Sequence, residues 1–260
     1  MSALLVTSHD GVLTITLNRP ERHNAFDDAL IKELAAAFRD AATAPGIRAV
    51  VLESTGKSFS AGADLDWMKR MAGYSHGENL ADAQALSDML EAIDACPRPV
   101  IGVVQGAAYG GGVGLVACCD LAVAADSASF CLSEVKLGII PAVISPYVVR
   151  AMGGRQARRY AVTAELFDAA QAQATGLVHE VVPADKLTEV RDKWLARLKG
   201  NGPQAMTAAK TLIRRAADQP LDNELRTWTA ERIAERRASD EGKEGIRAFL
   251  EKRKPAWIEG

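Results

Sequence analysis

The chain has 260 residues, of which 48% are hydrophobic and 25% charged, with a formal net charge of −2. This is enough material for a large core, and the nearly neutral surface offers no basic stripe to a nucleic acid and no polybasic segment to a membrane. Residues 1–6 lack a basic leader and a long apolar run, and no uninterrupted apolar stretch reaches the ~18 residues of a bilayer span, so a cytoplasmic protein without membrane segments is expected.

Residues 12–17 place Leu13, Ile15 and Leu17 on one face of a half-buried strand, ended by Asn18-Arg19-Pro20. Leu30, Leu34, Phe38 and Ala41 recur at helical spacing, and Pro45-Gly46 closes that helix. Residues 47–53 read as a more deeply buried strand running into Ser60-Ala61-Gly62-Ala63-Asp64. Leu86, Leu90 and Ile93 mark a further helix, stopped by Pro97 and Pro99. The apolar strand 100–104 leads through Gln105-Gly106-Ala107-Ala108-Tyr109 into Gly110-Gly111-Gly112, with a short buried helix expected over about 111–118. A strand over 120–125 follows, residues 134–140 read as strand or extended loop, Pro141 opens a helical stretch, and 177–182 form another strand. From Lys186 the chain is nearly all helix. Leu187, Val190, Trp194 and Leu198 form one stripe, a second helix follows Gly202-Pro203, and 225–237 and 245–254 are charged and amphipathic. Trp228 and Trp257 are expected against the core or against another subunit. Strands alternate with helices up to about residue 183, which predicts an α/β core followed by helices.

Chemistry is sought first at the two glycine-rich segments. Glycines at 110–112 remove side chains where backbone approaches something closely. A helix starting there would offer unpartnered N–H groups and its positive dipole end to a developing oxyanion. A tight strand–helix junction with no ligand is the other reading. Small residues at 60–63 let the Ala63 N–H face a ligand, with Asp64 as N-cap of a helix through Leu65-Asp66-Trp67-Met68. Leu115 stands where a dinucleotide fingerprint needs glycine, and no Gly-Lys-Ser/Thr follows.

Glu134 is an acid in an apolar neighbourhood. If buried, its pKa rises towards a range suited to proton exchange near neutrality; otherwise it forms a salt bridge, for instance with Lys136. Cys96, Cys118, Cys119 and Cys131 form no C-x-x-C pair and read as apolar fillers in a reducing compartment. The histidines lack ligand spacing and Asp64 and Asp66 lack further ligands, so no metal site is expected. No G-x-S-x-G elbow occurs and no cysteine has an activating context.

Taken in order, these segments resemble the crotonase (enoyl-CoA hydratase/isomerase) superfamily over essentially the whole chain. The likeness is carried by Leu17-Asn18-Arg19-Pro20 with Asn24-Ala25-Phe26, by Phe59-Ser60-Ala61-Gly62-Ala63-Asp64-Leu65, and by Pro99-Val100-Ile101 through Gly106 to Gly110-Gly111-Gly112 and Cys119-Asp120. It continues in Ser133-Glu134-Val135-Lys136-Leu137-Gly138-Ile139-Ile140-Pro141 and Ala174-Thr175-Gly176-Leu177-Val178. Residues 133–147 look most like the methylglutaconyl-CoA hydratases of leucine breakdown, or the related isohexenylglutaconyl-CoA hydratases.

The resemblance implies an α/β spiral of repeated ββα turns carrying the acyl-CoA site, placed at residues 1–200. A C-terminal helical region, 201–260, would pack in a homotrimer, often doubled to a homohexamer. The implied ligand is an acyl-CoA thioester as substrate, with no further cofactor. Ala63 and Gly111 would give N–H groups to the thioester oxygen. Ala63, Asp64, Leu65, Asp66 and Gly111 would line the site, and Asn24 and Ala25 would lie in the segment that helps hold CoA. Glu134 matches one of the two catalytic glutamates of the hydratases, but Gly114 stands where the other would fall. Ala142-Val143-Ile144-Ser145-Pro146-Tyr147 replaces the usual glycine-rich run after Pro141.

The expectation is a hydratase-type lyase acting on a 2-enoyl-CoA, with 3-methylglutaconyl-CoA as a candidate. Lys69, Arg70 or Arg150 would meet its second carboxylate, and Tyr147 or Ser145 would assist Glu134. A 3-enoyl to 2-enoyl-CoA isomerase using Glu134 alone is the alternative, and a non-catalytic acyl-CoA binding protein a third.

Overall fold

The computed structural model describes residues 2–258. β1 (Leu4–His9) and β2 (Val12–Leu17) form an antiparallel hairpin turned at Asp10 and Gly11, with φ of 48° and 72°. An Asp-Gly pair accepts this left-handed geometry at little cost. Helix α1 (Asp28–Thr43) starts where the Asp27 carboxylate accepts the Leu30 N–H, and it buries Leu30, Leu34, Phe38 and Ala41 along one face.

Three turns of similar build follow. Each lays down a strand of a larger sheet, bends, adds a short strand to a smaller sheet, and leaves by a helix. The first turn is β3 (Ala49–Ser54), β4 (Ser58–Ser60), α2 (Leu65–Met71) and α3 (His76–Asp94). The second is β5 (Val100–Val104), β6 (Ala107–Tyr109) and α4 (Gly111–Ala117). The third is β7 (Leu121–Ala125), β8 (Ser129–Cys131), a 3-10 helix (Glu134–Leu137), α5 (Ser145–Met152) and α6 (Gly154–Thr163). β9 (Phe167–Asp168), α7 (Ala169–Thr175) and β10 (Glu180–Val182) complete the sheets.

The larger sheet runs β1-β2-β3-β5-β7-β10 and is parallel beyond the hairpin. Its inner strands β3, β5 and β7 are covered on both faces, which is why they read as unbroken apolar runs. The smaller sheet runs β4-β6-β8-β9, its first three strands parallel. Ser58 pairs with Ala107 but Ser60 with Ala108, so β4 spends one residue more than β6, a bulge.

Helices α8 (Leu187–Gly200), α9 (Pro203–Asp218), α10 (Asn223–Ala238) and α11 (Asp240–Leu250) close the chain. Lys210 on α9 meets Asp120 at 2.7 Å, and the Arg48 guanidinium donates to the carbonyls of Lys199, Asn201 and Trp257. Both tryptophans left open above find partners in their own chain. Trp257 donates to Gly200 O and covers Gly245, and the Trp228 ring lies against the guanidinium groups of Arg215 and Arg232. Ile213, Ile233, Ile246, Phe249 and Leu250 of α9–α11 nonetheless remain exposed. No helix among the described residues is long and apolar enough to cross a membrane.

Three expectations are corrected. Residues 134–140 are neither strand nor simple extended loop: a 3-10 turn ends at Gly138 in the left-handed region (φ 73°), and Leu137, Ile139 and Ile140 face solvent, where no sheet receives them. The helix after Pro141 begins only at Ser145. The strand over 177–182 pairs only at Glu180–Val182, because the N–H groups of Leu177 and Val178 instead meet Ala172 O at the end of α7.

Candidate active site

β4, β6 and β8 lie side by side and parallel, so their C-terminal ends deliver Ala63, Gly111 and Glu134 to one edge of the smaller sheet. In parallel α/β sheets this is the edge where ligands bind. The three segments touch. A Cβ on Gly62 would lie 2.8 Å from Tyr109 O and 3.6 Å from Gly111 N, and one on Gly110 would lie 3.2 Å from Glu134 Oε1.

The Ala63 and Gly111 N–H groups have no acceptor among the described residues, and neither does that of Gly112 at the second position of α4, whereas four flanking N–H groups are engaged. Ala61 donates to His23 O, Gly62 to Ser60 Oγ, Asp64 to Phe26 O and Gly110 to Cys131 O. Gly111 opens α4, where N–H groups have no intrahelical partner. Glycine is required there because the Phe26 ring occupies the place of a side chain: a Cβ on Gly111 would lie 2.9 Å from Cε2 and nearer still to Cζ.

Glu134 opens the 3-10 helix, half-buried, and forms no ion pair among the described residues, so the Lys136 bridge is absent. Its Oε2 is buried without a hydrogen-bond partner. Burial raises its pKa above the ordinary glutamate value, opposed only by a backbone hydrogen bond. A carboxylate held this way takes up and releases a proton more readily near neutrality than an exposed one.

Gly114, one turn beyond Gly111, is not an empty place awaiting an acid. A Cβ there would lie 2.9 Å from Ile144 Cβ, closer still to its Cγ2, and 3.6 Å from Leu90 Cδ2. Ile144 is 3% exposed and fills this space with hydrocarbon. Nothing in the sequence signals a contact between positions thirty residues apart, and Ile144 was not singled out there.

Of the remaining candidates, Asn24, Ala25 and Asp64 make hydrogen bonds that hold local backbone, and Leu65 and Asp66 lie at the surface. Asn24, buried and at φ 53°, accepts the Arg19 N–H and donates to Thr55 O and Ser58 O, which commits its amide to the corner between β3 and β4. The Ala25 carbonyl accepts from Arg19 Nη1 at 3.1 Å. Asp64 caps α2 by accepting the Asp66 and Trp67 N–H groups, and its second oxygen meets Arg19 at 3.1 Å. Leu65 is 70% exposed and Asp66 pairs with Arg22 and Lys69, both at the surface. Arg19, which ties Ala25, Asp27 and Asp64 together, was quoted in the sequence motif without a role.

Lys69, Arg70 and Arg150 are all in ion pairs, with Asp66, Asp28 and Asp94. Tyr147 lies beside Arg150, Asp94 and Cys118 at the far end of α4, and Ser145 Oγ donates to Ala142 O; neither forms a hydrogen bond to Glu134 among the described residues. A cavity of about 390 Å³ opens at that far end, but its charges are matched as Asp94–Arg150, Asp94–Arg214 and Asp120–Lys210. The cysteines are free, and burial raises their thiol pKa values. Among the described residues no three His, Cys, Asp or Glu side chains gather to hold a metal.

Residues 7–260 match the family described as enoyl-CoA hydratase/isomerase. The chain belongs to this family. It is 34% identical over 262 residues to the 2,3-dehydroadipyl-CoA hydratase of Escherichia coli K12, covering 98% of each chain. An enoyl-CoA hydratase from Shewanella pealeana superposes with a TM-score of 0.96 at 45% identity, over 98% of this chain and 96% of that one. AtuE of Pseudomonas aeruginosa gives 0.94 at 38%, over 99% and 100%. The spiral of ββα turns and its C-terminal helices are therefore the enoyl-CoA hydratase/isomerase fold, and the family is one of enzymes acting on acyl-CoA thioesters.

Proposed function

We propose that this enzyme hydrates a 2-enoyl-CoA through an enolate held at the Ala63 and Gly111 N–H groups, with Glu134 as its single proton-handling carboxylate. The observation that carries this reading is the buried, partnerless Glu134 carboxyl lying against Gly110, next to the free Gly111 N–H. Water adds through its oxygen to Cβ while Glu134 takes one of its protons. Negative charge gathers on the thioester oxygen, where the two N–H groups meet it. Glu134 then returns the proton to Cα, and the 3-hydroxyacyl-CoA contains one water more than the substrate. Each such donor is worth about 3–4 kcal/mol in the transition state.

Ala63, Asp64, Leu65, Asp66 and Gly111 are assigned to the acyl-CoA surface. Leu65 offers an exposed side chain, while Asp64, like Asn24, acts by fixing the backbone. The route calls for no cofactor. The proposed substrate is 3-methylglutaconyl-CoA, on the likeness of residues 133–147; the substrate in the Escherichia coli relative's name is likewise the thioester of a dicarboxylic acid. Loss of enoyl-thioester absorbance with 3-methylglutaconyl-CoA, and a mass gain of one water, is the expected result, with crotonyl-CoA run alongside. No loss with either ester would overturn hydration.

The Ile144 side chain over Gly114 favours a second reading, because isomerisation needs only one carboxylate. Glu134 would take a proton from C2 of a 3-enoyl-CoA and return it to C4. A rise in absorbance from a 3-enoyl-CoA, with 2-enoyl esters inert, would establish it. Tight ester binding with no proton exchange at Cα would instead mark a binding protein.

The exposed apolar side chains of α9–α11 support a homotrimer or a homohexamer. Light scattering on the 27.7 kDa chain is expected to give three or six copies, and a monomer would overturn that assignment.

A further inference from the structure

We propose that Phe26 is the positioning residue that sets the distance between the two N–H groups, an inference that rests on the thioester reading above. Its main chain holds one of them. The Phe26 N–H donates to Gly62 O at 2.8 Å and its carbonyl accepts the Asp64 N–H at 3.0 Å, a parallel bridge in which Ala63 turns its own N–H away from Phe26. Its ring holds the other. The residue is 2% exposed, and the ring edge rests on the Gly111 backbone where a Cβ would overlap it.

The two donors come from successive turns of the fold, and Phe26 touches both. Moving the Ala63 and Gly111 segments together compresses the ring, and moving them apart breaks the bridge or opens a void. The support behind Phe26 is stiff. The Asn24 side chain is fixed by three hydrogen bonds, and Asp27 caps α1 while paired with Arg19 at 2.9 Å. Two donors sharing one oxygen tolerate only tenths of an ångström, and a misplacement of about 1 Å costs on the order of 100-fold in rate.

The test compares Phe26→Leu, Phe26→Met, Gly111→Ala and Phe26→Leu/Gly111→Ala with the parent. Turnover is measured alongside the infrared carbonyl band of bound butyryl-CoA labelled with ¹³C at the thioester carbon. The parent is expected to lower that band on binding. Phe26→Leu, which no longer reaches Gly111, should lose most of the shift and about 10- to 100-fold in kcat, with KM changed less than about threefold. Phe26→Met, long enough to reach, should restore much of both. Gly111→Ala should be milder when position 26 is leucine, because the overlapped ring atoms are gone. Full band shift and turnover within about twofold of the parent in Phe26→Leu would overturn the proposal and leave the thioester reading standing. No band shift in the parent would overturn the thioester reading, and this inference with it. Melting curves identify a variant that fails to fold, and Phe26→Met then decides the matter.

Discussion

Glutamine in place of Glu134 is expected to lower kcat by about 1,000-fold while leaving affinity for the CoA ester within about threefold. The carboxylate has no cation and no partner for Oε2. Glutamine keeps an oxygen for the one backbone hydrogen bond, so the substitution breaks no ion pair and removes the group proposed to exchange protons. The same isolation makes a second expectation, about stability. Burial raises the Glu134 pKa in the native state. An acid with a raised native pKa favours the folded form fully below its unfolded pKa, and that advantage is lost as pH rises through the native value. The glutamine variant has no charge to bury, so it should melt higher than the parent at neutral pH. The gain should vanish in acid below the ordinary glutamate value. In the parent, the acid limb of the kcat/KM profile should lie above that ordinary value. Unchanged turnover would remove Glu134 from the mechanism, and a lower neutral-pH melting temperature would contradict the account of its burial.

Gly114→Glu is expected to destabilise the fold by about 3 kcal/mol or more and to add no hydratase activity. The new side chain would meet Ile144 and Leu90, and the charge would enter hydrocarbon. Ile144→Ala would not relieve the clash, because Ile144 Cβ alone is only 2.9 Å from the added Cβ. Ile144→Gly should. The Gly114→Glu/Ile144→Gly double variant should recover more than half of the lost stability, the strong non-additivity expected of residues sharing one space. It would also test whether a second carboxylate can work beside Glu134. Additive denaturant midpoints would show that the two positions do not compete.

The inner strands β3, β5 and β7 were legible because burial on both faces leaves an unbroken apolar run. β4, β6 and β8 were not, since three residues carry no periodicity, and yet these strands place the candidate site. The first hairpin left a signal, Asp10-Gly11 between alternating residues, that the strand assignment over 12–17 did not use. The apolar Leu137, Ile139 and Ile140 gave no sign of the 3-10 turn over 134–137, because they face solvent with no sheet behind them. Glu134 and the glycines were legible as chemistry. The reason Gly111 and Gly114 must be glycine was not, because Phe26 and Ile144 reach them only through the fold.

The extra residue in β4 gives strand length a role of its own. Ser58 and Ser60 face consecutive residues of β6, so the chain reaches Ala63 one step later than an even ladder would allow. That step is about 3.3 Å, as long as a hydrogen bond. Deleting one residue between 58 and 60 would make the ladder regular, and would bring a different N–H to the place Ala63 now holds. In this enzyme an insertion or deletion that the sheet accepts would still be a mutation of the proposed oxyanion site.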